Sequence, residues 1–166
     1  MSHLLEAVYR EHRQGLYSLA VAVAGSHQLA EDAVHNAFEK LIRKQPPAEN
    51  IVAYTYRAVR NAAIDLQRKG QSQDRLCATL FEESPADSSK AIDPTQNLMT
   101  QETHVQLRRS IETLSDNYRE AIVLRAFAGL TFDQIGMITN TSAKTIATRY
   151  RRAIDELQNK LSKQLF

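Results

Sequence analysis

One cysteine, Cys77, and no tryptophan occur in 166 residues, with five glycines and four prolines. A lone cysteine cannot build an internal disulfide framework, and no Cys and His cluster has the spacing of a zinc site. The histidines His3, His12, His27, His35 and His104 are scattered, so no metal and no cofactor is expected. Long apolar runs are missing too: Leu16 to Ala24 is part of an amphipathic stretch and is too short to span a bilayer. The first residues lack the basic and then apolar layout of a secretory signal, and a cytoplasmic location with no membrane insertion is the expectation. There is no phosphate loop and no nucleophile with a base at recognisable spacing, which places an enzyme last among the readings.

What is present is helical periodicity. From His3 to about Ala24, the residues Leu5, Val8, His12, Leu16, Leu19 and Val23 share one face. A second helix is expected from about Gln28 to Lys44, with Leu29, Ala33, Val34, Ala37, Phe38, Leu41 and Ile42 inward, stopped by Pro46 and Pro47. A third spans about Asn50 to Lys69, with Ile51, Thr55, Ala58, Val59, Ala62 and Leu66 inward. These form one helical domain over 1–70. From Gly70 to about Thr100 the period breaks at Gln71, Ser72, Gln73, Ser84, Pro85, Ser88, Ser89, Asp93 and Pro94, and Glu82, Glu83, Asp87 and Asp93 face only Lys90. Residues 71–100 read as a flexible acidic linker, with a short helical turn around Leu76 to Phe81. Periodicity returns over Leu98 to Leu114 and Asn117 to Ala128, opening a second domain over 101–166. The expected fold is all-α: two small helical domains on a flexible linker, the C-terminal one a helix-turn-helix.

That unit occupies Gly129 to Leu157. Thr131 with Gln134 makes a capping-box pattern, and Gly129 suits the left-handed end of the preceding helix. Gly136, Asn140 and Ile146 supply a close backbone approach, a turn residue tolerant of positive φ, and a branched apolar lock. Ser142 or Thr141 caps the next helix. There Ile146, Tyr150, Ala153, Ile154, Leu157 and Leu161 form an inward stripe, leaving Thr145, Thr148, Arg149 and Arg152 outward, flanked by Lys144 and Arg151. Arginines can pair bidentately with guanine edges, while hydroxyls and other cations hold phosphates. Net charge is only +2, but this last stretch is locally basic.

Two further surfaces stand out. On the third helix Tyr54, Arg57, Asn61 and Arg68 share an outward sector, with Arg60 beside it and Lys69 at the end. An aromatic ring, an amide and cations suit an unstacked single strand, although an ordinary charged helix face explains the same periodicity. On the second helix Glu31, Asp32, His35, Glu39 and Arg43 lie off the apolar stripe, as a protein-docking face or a solvated one.

The segments AEDAVHNAF (Ala30 to Phe38), YTYRAVRNAAIDLQRK (Tyr54 to Lys69), and LSDNYREAIVLRAFAGLTFDQIG with KTIATRYRRA (Leu114 to Ala153) resemble the extracytoplasmic-function sigma factors of bacterial RNA polymerase. The resemblance covers nearly the whole chain outside the linker. It implies core RNA polymerase (clamp coiled coil and flap) and promoter DNA as partners, and often an anti-sigma factor. By that resemblance Glu31, Asp32, His35 and Glu39 dock on the polymerase, His35 standing where the family usually has Gln. Tyr54, in place of the family's common Trp, would serve the minus-10 element with Arg57, Arg60, Asn61, Arg68 and Lys69. Ser142, Lys144, Thr145, Thr148, Arg149, Arg151 and Arg152 would serve the minus-35 element. An operator-binding regulator explains the helix-turn-helix equally well but leaves the first two segments without purpose. A helical adaptor that binds only proteins is the reading from a third class.

Overall fold

The computed structural model describes the backbone of residues 2–77 and 98–165, and the side chains of residues 3–70 and 102–163. Among the described residues seven α-helices follow one another: α1 Ser2–Ala24, α2 His27–Lys44, α3 Ile51–Cys77, α4 Leu98–Glu112, α5 Asp116–Ile122, α6 Phe132–Thr139 and α7 Ala143–Leu165, and α5 runs on into a π-helical turn over Val123–Phe127. No strand occurs among the described residues.

The helix ends follow local chemistry. Gly25 ends α1 at φ +75°, and the Ser26 hydroxyl caps α2 by accepting from the Leu29 N–H at 3.3 Å. Gln45 closes α2 in the left-handed region, its N–H bonded to the Leu41 carbonyl, and Pro46 then prevents continuation. Helix α3 runs past Gly70 to Cys77, beyond the expected end near Lys69. A glycine inside a helix costs about 1 kcal/mol, and neither proline nor a β-branched residue follows to break the run. Residues 71–77 of the expected linker are therefore helical, and α4 begins at Leu98. The rest of the linker, 78–97, and most of the turn expected at Leu76 to Phe81, lie outside the described residues.

Helices α1, α2 and α3 pack on Leu16, Leu19, Ala30, Ala33, Ala37, Val59 and Ala62, much as their periodicity anticipates. Ile42 departs from it, being 58% exposed rather than inward. The buried line on α2 runs Ala30, Ala33, Ala37, Leu41, and one residue beyond Leu41 the helix has turned about 100° away. The same apolar core continues through Val123, Leu124, Leu130, Ile135, Ile138 and Ile146, so the two helical units share it. Gly15 makes the approach possible, because a Cβ there would run into the Tyr56 hydroxyl and the Ala128 methyl.

Two arginines add polar ties across this seam. Arg60 on α3 pairs through Nε with Glu120 Oε2 at 2.8 Å and through Nη2 with Oε1 at 3.3 Å. Arg119 donates to the carbonyls of Glu112 at 2.7 Å, Leu114 at 2.8 Å and Ile111 at 3.4 Å, and reaches the Ala22 carbonyl of α1 at 3.2 Å. One guanidinium thus closes the open end of α4 and holds the end of α1.

Tyr56 lies at the centre of the seam, fully buried, sharing a hydrogen bond of 3.3 Å with His12 Nδ1. Burial pushes its phenol up to about 12 from an ordinary 10.0. The folded chain therefore keeps a proton that the unfolded chain loses above pH 10. This contribution to stability is intact below pH 10 and fades as pH rises toward 12. Urea unfolding at about pH 9 and about pH 11.5 should show wild type losing more stability between the two than Tyr56→Phe does. Equal losses would mean that the phenol does not titrate with unfolding.

Candidate nucleic-acid interface

The turn between α6 and α7 is built from its own residues. The Thr131 hydroxyl accepts from the Gln134 N–H at 3.2 Å, and the Gln134 side chain accepts from the Thr131 N–H at 2.9 Å. Gly129 before this cap has φ +69°, and Asn140 after α6 sits at φ 52° and ψ 48°. At Gly136 the backbone passes so close to the turn that a Cβ would lie 2.5 Å from the Thr141 carbonyl oxygen. The Ser142 hydroxyl accepts from the Thr145 N–H at 3.2 Å and caps α7, while Ile146, 1% exposed, locks it from beneath. The Arg125 guanidinium lies 4.9 Å over the Phe132 ring and donates to the Leu130 carbonyl, holding the start of α6.

Lys144, Thr145, Thr148, Arg149 and Arg152 then line one shallow concavity of about 340 Å³ on α7. Tyr118 of α5 forms its other wall. Ser142 stands at the N-cap of α7, and Arg151 is exposed on the flank. Among the described residues no carboxylate pairs with Lys144, Arg149, Arg151 or Arg152, so their charge is available to a ligand. The Thr148 hydroxyl donates to the Lys144 carbonyl at 3.1 Å, which leaves its lone pairs outward. Tyr118 carries no signal of its own in sequence; it joins this surface because α5 and the turn before it pack beside α7 through Leu114, Ile122, Ala153 and Leu157.

A second and larger hollow, about 560 Å³, lies between α2 and α3. Its floor is Ala37, Leu41, Ala58 and Ala62, and around it stand Tyr54, Arg57, Asn61 and Asp65 from α3 with Lys40 and Lys44 from α2. Tyr54 presents a ring 42% exposed. Three of the residues singled out on α3, Tyr54, Arg57 and Asn61, thus meet in one groove. Arg68 and Lys69 are exposed further along α3, outside its lining. Arg60 is placed elsewhere, turned to the seam and paired with Glu120. Lys40 and Lys44 escaped the sequence reading because the period of α2 alone does not say which neighbour its i, i+4 lysines face.

Glu31, Asp32, His35 and Glu39 are exposed along α2, away from its buried line. His35 Nε2 lies 3.4 Å from Glu39 Oε1, a partner one turn away. Glu31 also acts on Tyr17, whose phenol is pushed up first by burial and then by that charge. Among the described residues no cluster of His, Cys, Asp and Glu could hold a metal ion, and no helix is long and apolar enough to cross a membrane.

Comparison with known proteins bears on both surfaces. Residues 8–73 match the family described as Sigma-70 region 2, and residues 104–157 match Sigma-70, region 4. The RNA polymerase sigma factor SigV of Bacillus subtilis is 25% identical over 97% of this chain and 93% of its own length. The ECF RNA polymerase sigma factor SigE of Mycolicibacterium smegmatis is 23% identical over 95% of this chain. The chain belongs to the extracytoplasmic-function sigma factors. This sigma factor spans 62% of the length of the mycobacterial relative. It also resembles the ECF RNA polymerase sigma-E factor of Escherichia coli, at 35% identity over 53% of the chain and 46% of that relative. Among solved structures, the sigma factor RpoE from Bartonella quintana, crystallised with the anti-sigma factor NepR, superposes with a TM-score of 0.72 at 25% identity, over 97% of this chain and 95% of its own. The groove between α2 and α3 falls in the region 2 match and the α7 surface in the region 4 match.

Two glycines in this sigma factor should respond oppositely to the same substitution. Gly136→Ala forces a methyl against backbone and should cost about 1–3 kcal/mol. Among the described residues a Cβ at Gly70 meets only Leu29 Cδ1, at 3.8 Å, an ordinary contact, and Gly70→Ala should stabilise by about 0.5–1 kcal/mol. Urea unfolding followed by circular dichroism checks both; stabilisation by Gly136→Ala would contradict the close turn.

Proposed function

We propose that this sigma factor binds core RNA polymerase and directs initiation at promoters whose minus-35 element it reads with α7 and whose melted minus-10 element it captures in the groove between α2 and α3. The observation that carries this reading is the pairing of two different basic surfaces in one chain. One is the outward face of α7, a shallow surface carrying arginines with no carboxylate partner, fit for a major groove, and the other is a deeper hollow with an exposed ring, an amide and cations, fit for an unstacked strand.

The roles follow from the chemistry. Arg149 and Arg152 read base edges, while Lys144, Thr145, Thr148, Arg151 and the Ser142 cap hold phosphates and set the register of α7. In the groove the Tyr54 ring stacks on a base, Asn61 offers an amide to its edge, and Arg57, Arg68 and Lys69 follow the backbone. Arg60 joins them when it leaves Glu120. Glu31, Asp32, His35 and Glu39 present the acidic flank of α2 to the polymerase clamp coiled coil, and the C-terminal unit meets the flap. An anti-sigma factor, like the one bound to the Bartonella relative, is a further partner.

Sigma factors are in general not catalysts, and this reading asks the chain for no covalent chemistry. Extruding a base costs a few kcal/mol, least when the base is already single-stranded, and the groove offsets that cost by binding the extruded form better than the stacked one. Joining two weak readers on one chain raises their effective concentration and makes element spacing a selectivity filter. The work is done in the cytoplasm, where polymerase and promoters are.

Reconstituted transcription tests this. Core polymerase with the chain, on fragments of its own genome, should yield new starts preceded by two motifs at fixed spacing. DNA binding without any new start would favour an operator-binding regulator. Within the reading, Arg149→Ala should cost about 1–3 kcal/mol in promoter binding and relax preference at one minus-35 position. Asn61→Ala should leave closed-complex formation nearly intact and reduce the permanganate reactivity of melted thymines. Identical defects in the two variants would remove the division of roles.

A further inference from the structure

We infer that Tyr118 of α5 is a further DNA contact of this sigma factor: its hydroxyl donates to a phosphate on one wall of the major groove that α7 enters, and so fixes how α7 is seated there. This rests on the minus-35 reading by α7 proposed above.

The placement comes first. Tyr118 is half-buried, packed on the cluster of Leu114, Ile122, Ala153 and Leu157 that holds α5 to α7. The part of the side chain left outside that cluster forms the wall of the concavity it shares with Thr145, Arg149 and Arg152. The hydroxyls of Tyr17 and Tyr56 are engaged by His27 and His12. Among the described residues the Tyr118 hydroxyl has no such partner. A tyrosine with its body anchored and its polar end free offers a donor at small entropic cost, because only two side-chain angles have to be fixed.

The widths decide what that donor meets. An α-helix with its side chains is about 10–12 Å across and the major groove about 12 Å wide, so α7 fills the groove it enters. Packed helices lie about 8–10 Å apart, axis to axis. A residue of α5 therefore stands beyond the half-width of the groove, about 6 Å, and over the sugar-phosphate ridge instead of a base edge. There a phosphate oxygen accepts from the phenol.

The backbone under Tyr118 is held in advance. Arg119, the next residue, donates to the carbonyls of Glu112 and Leu114, which ties the start of α5 to the end of α4. The same guanidinium pairs with Asp116 at 3.2 Å and offsets a carboxylate that would repel phosphate. Contacts made by α7 alone lie near its own axis and resist rolling about it weakly. A donor on a second helix, about one helix width to the side, fixes that roll, and with it which base edges Arg149 and Arg152 reach. The phenol is also neutral. A lysine that holds a phosphate releases counterions and steepens the salt dependence of binding, whereas a phenol adds affinity and leaves the slope alone.

Promoter binding by core polymerase carrying the full chain tests this. The templates are a fragment with the mapped minus-35 element, its single-base-pair variants, and copies in which an uncharged methylphosphonate replaces one phosphate at a time. Tyr118→Phe keeps the ring, so its urea unfolding should match wild type. It should bind every base-pair variant about tenfold more weakly, the scale of one hydrogen bond to a charged oxygen, with the salt slope unchanged. Lys144→Ala should also weaken binding throughout, but lower the slope by about 1. At one methylphosphonate position wild type should lose its advantage over Tyr118→Phe. Equal binding by the two, a loss that follows the identity of a base pair, a lowered slope in Tyr118→Phe, or an advantage that survives at every methylphosphonate position would overturn the contact. Scrambling the minus-35 element without loss in wild type would remove the promoter reading and this contact with it. Tyr118→Phe equal to wild type on an element that does matter would remove the contact alone.

Discussion

Two helix backbones can lie side by side only as closely as the side chains between them allow, and at Gly15 there is no side chain. That single absence brings α1 against Tyr56 of α3 and Ala128 beyond the π-helical turn. Once those backbones meet, the apolar residues of the first three helices and of the helix-turn-helix become one interior. The ion pair at Arg60 and the carbonyl ties of Arg119 sit at the border of this contact and would not find their partners without it.

Helix α3 shows how much one helix can carry. One face packs against α1 and α2 through Val59 and Ala62, a second meets the C-terminal unit through Tyr56 and Arg60, and a third presents Tyr54, Arg57 and Asn61 to the groove. A helix with so many neighbours has few positions free to vary without consequence. Helix α7 is simpler: Ile146, Ala153 and Leu157 go inward, and its basic residues are left outward. This difference explains why one face of α7 is enough to suggest duplex DNA, whereas α3 needs its neighbours to define its site.

The parts legible in the sequence are those decided within a few residues. The capping box at Thr131, the left-handed Asn140, the close approach at Gly136 and the Ser142 cap all stand where local chemistry puts them. Burial was harder, because periodicity assumes one inward face per helix. Tyr56 and Ala63 are buried off the expected stripe of α3, and Tyr56 comes to Gly15 at the point where Ala128 also arrives, while Glu120 gives no local hint that its partner lies sixty residues upstream. Ile42 misled in the opposite sense: it is apolar and near the stripe, yet past its edge. The groove was half visible, since α3 supplied Tyr54, Arg57 and Asn61 and only packing could add Lys40 and Lys44.

The π-helical turn at Val123–Phe127 links the Ala128 N–H to the Val123 carbonyl, five residues back, where an α-helix would reach four. Such a turn holds one residue more than the regular helix needs. Removing a residue there would repair the hydrogen-bond ladder and, by the same step, turn everything downstream by about 100° about the axis of α5. Gly129 and the reading helix after it would then face another direction, while the helix before the turn kept its place against α1. The extra residue therefore acts as an angular spacer. It makes chain length at this one point a setting for how the DNA-reading unit is aimed, independent of any side chain that touches a ligand.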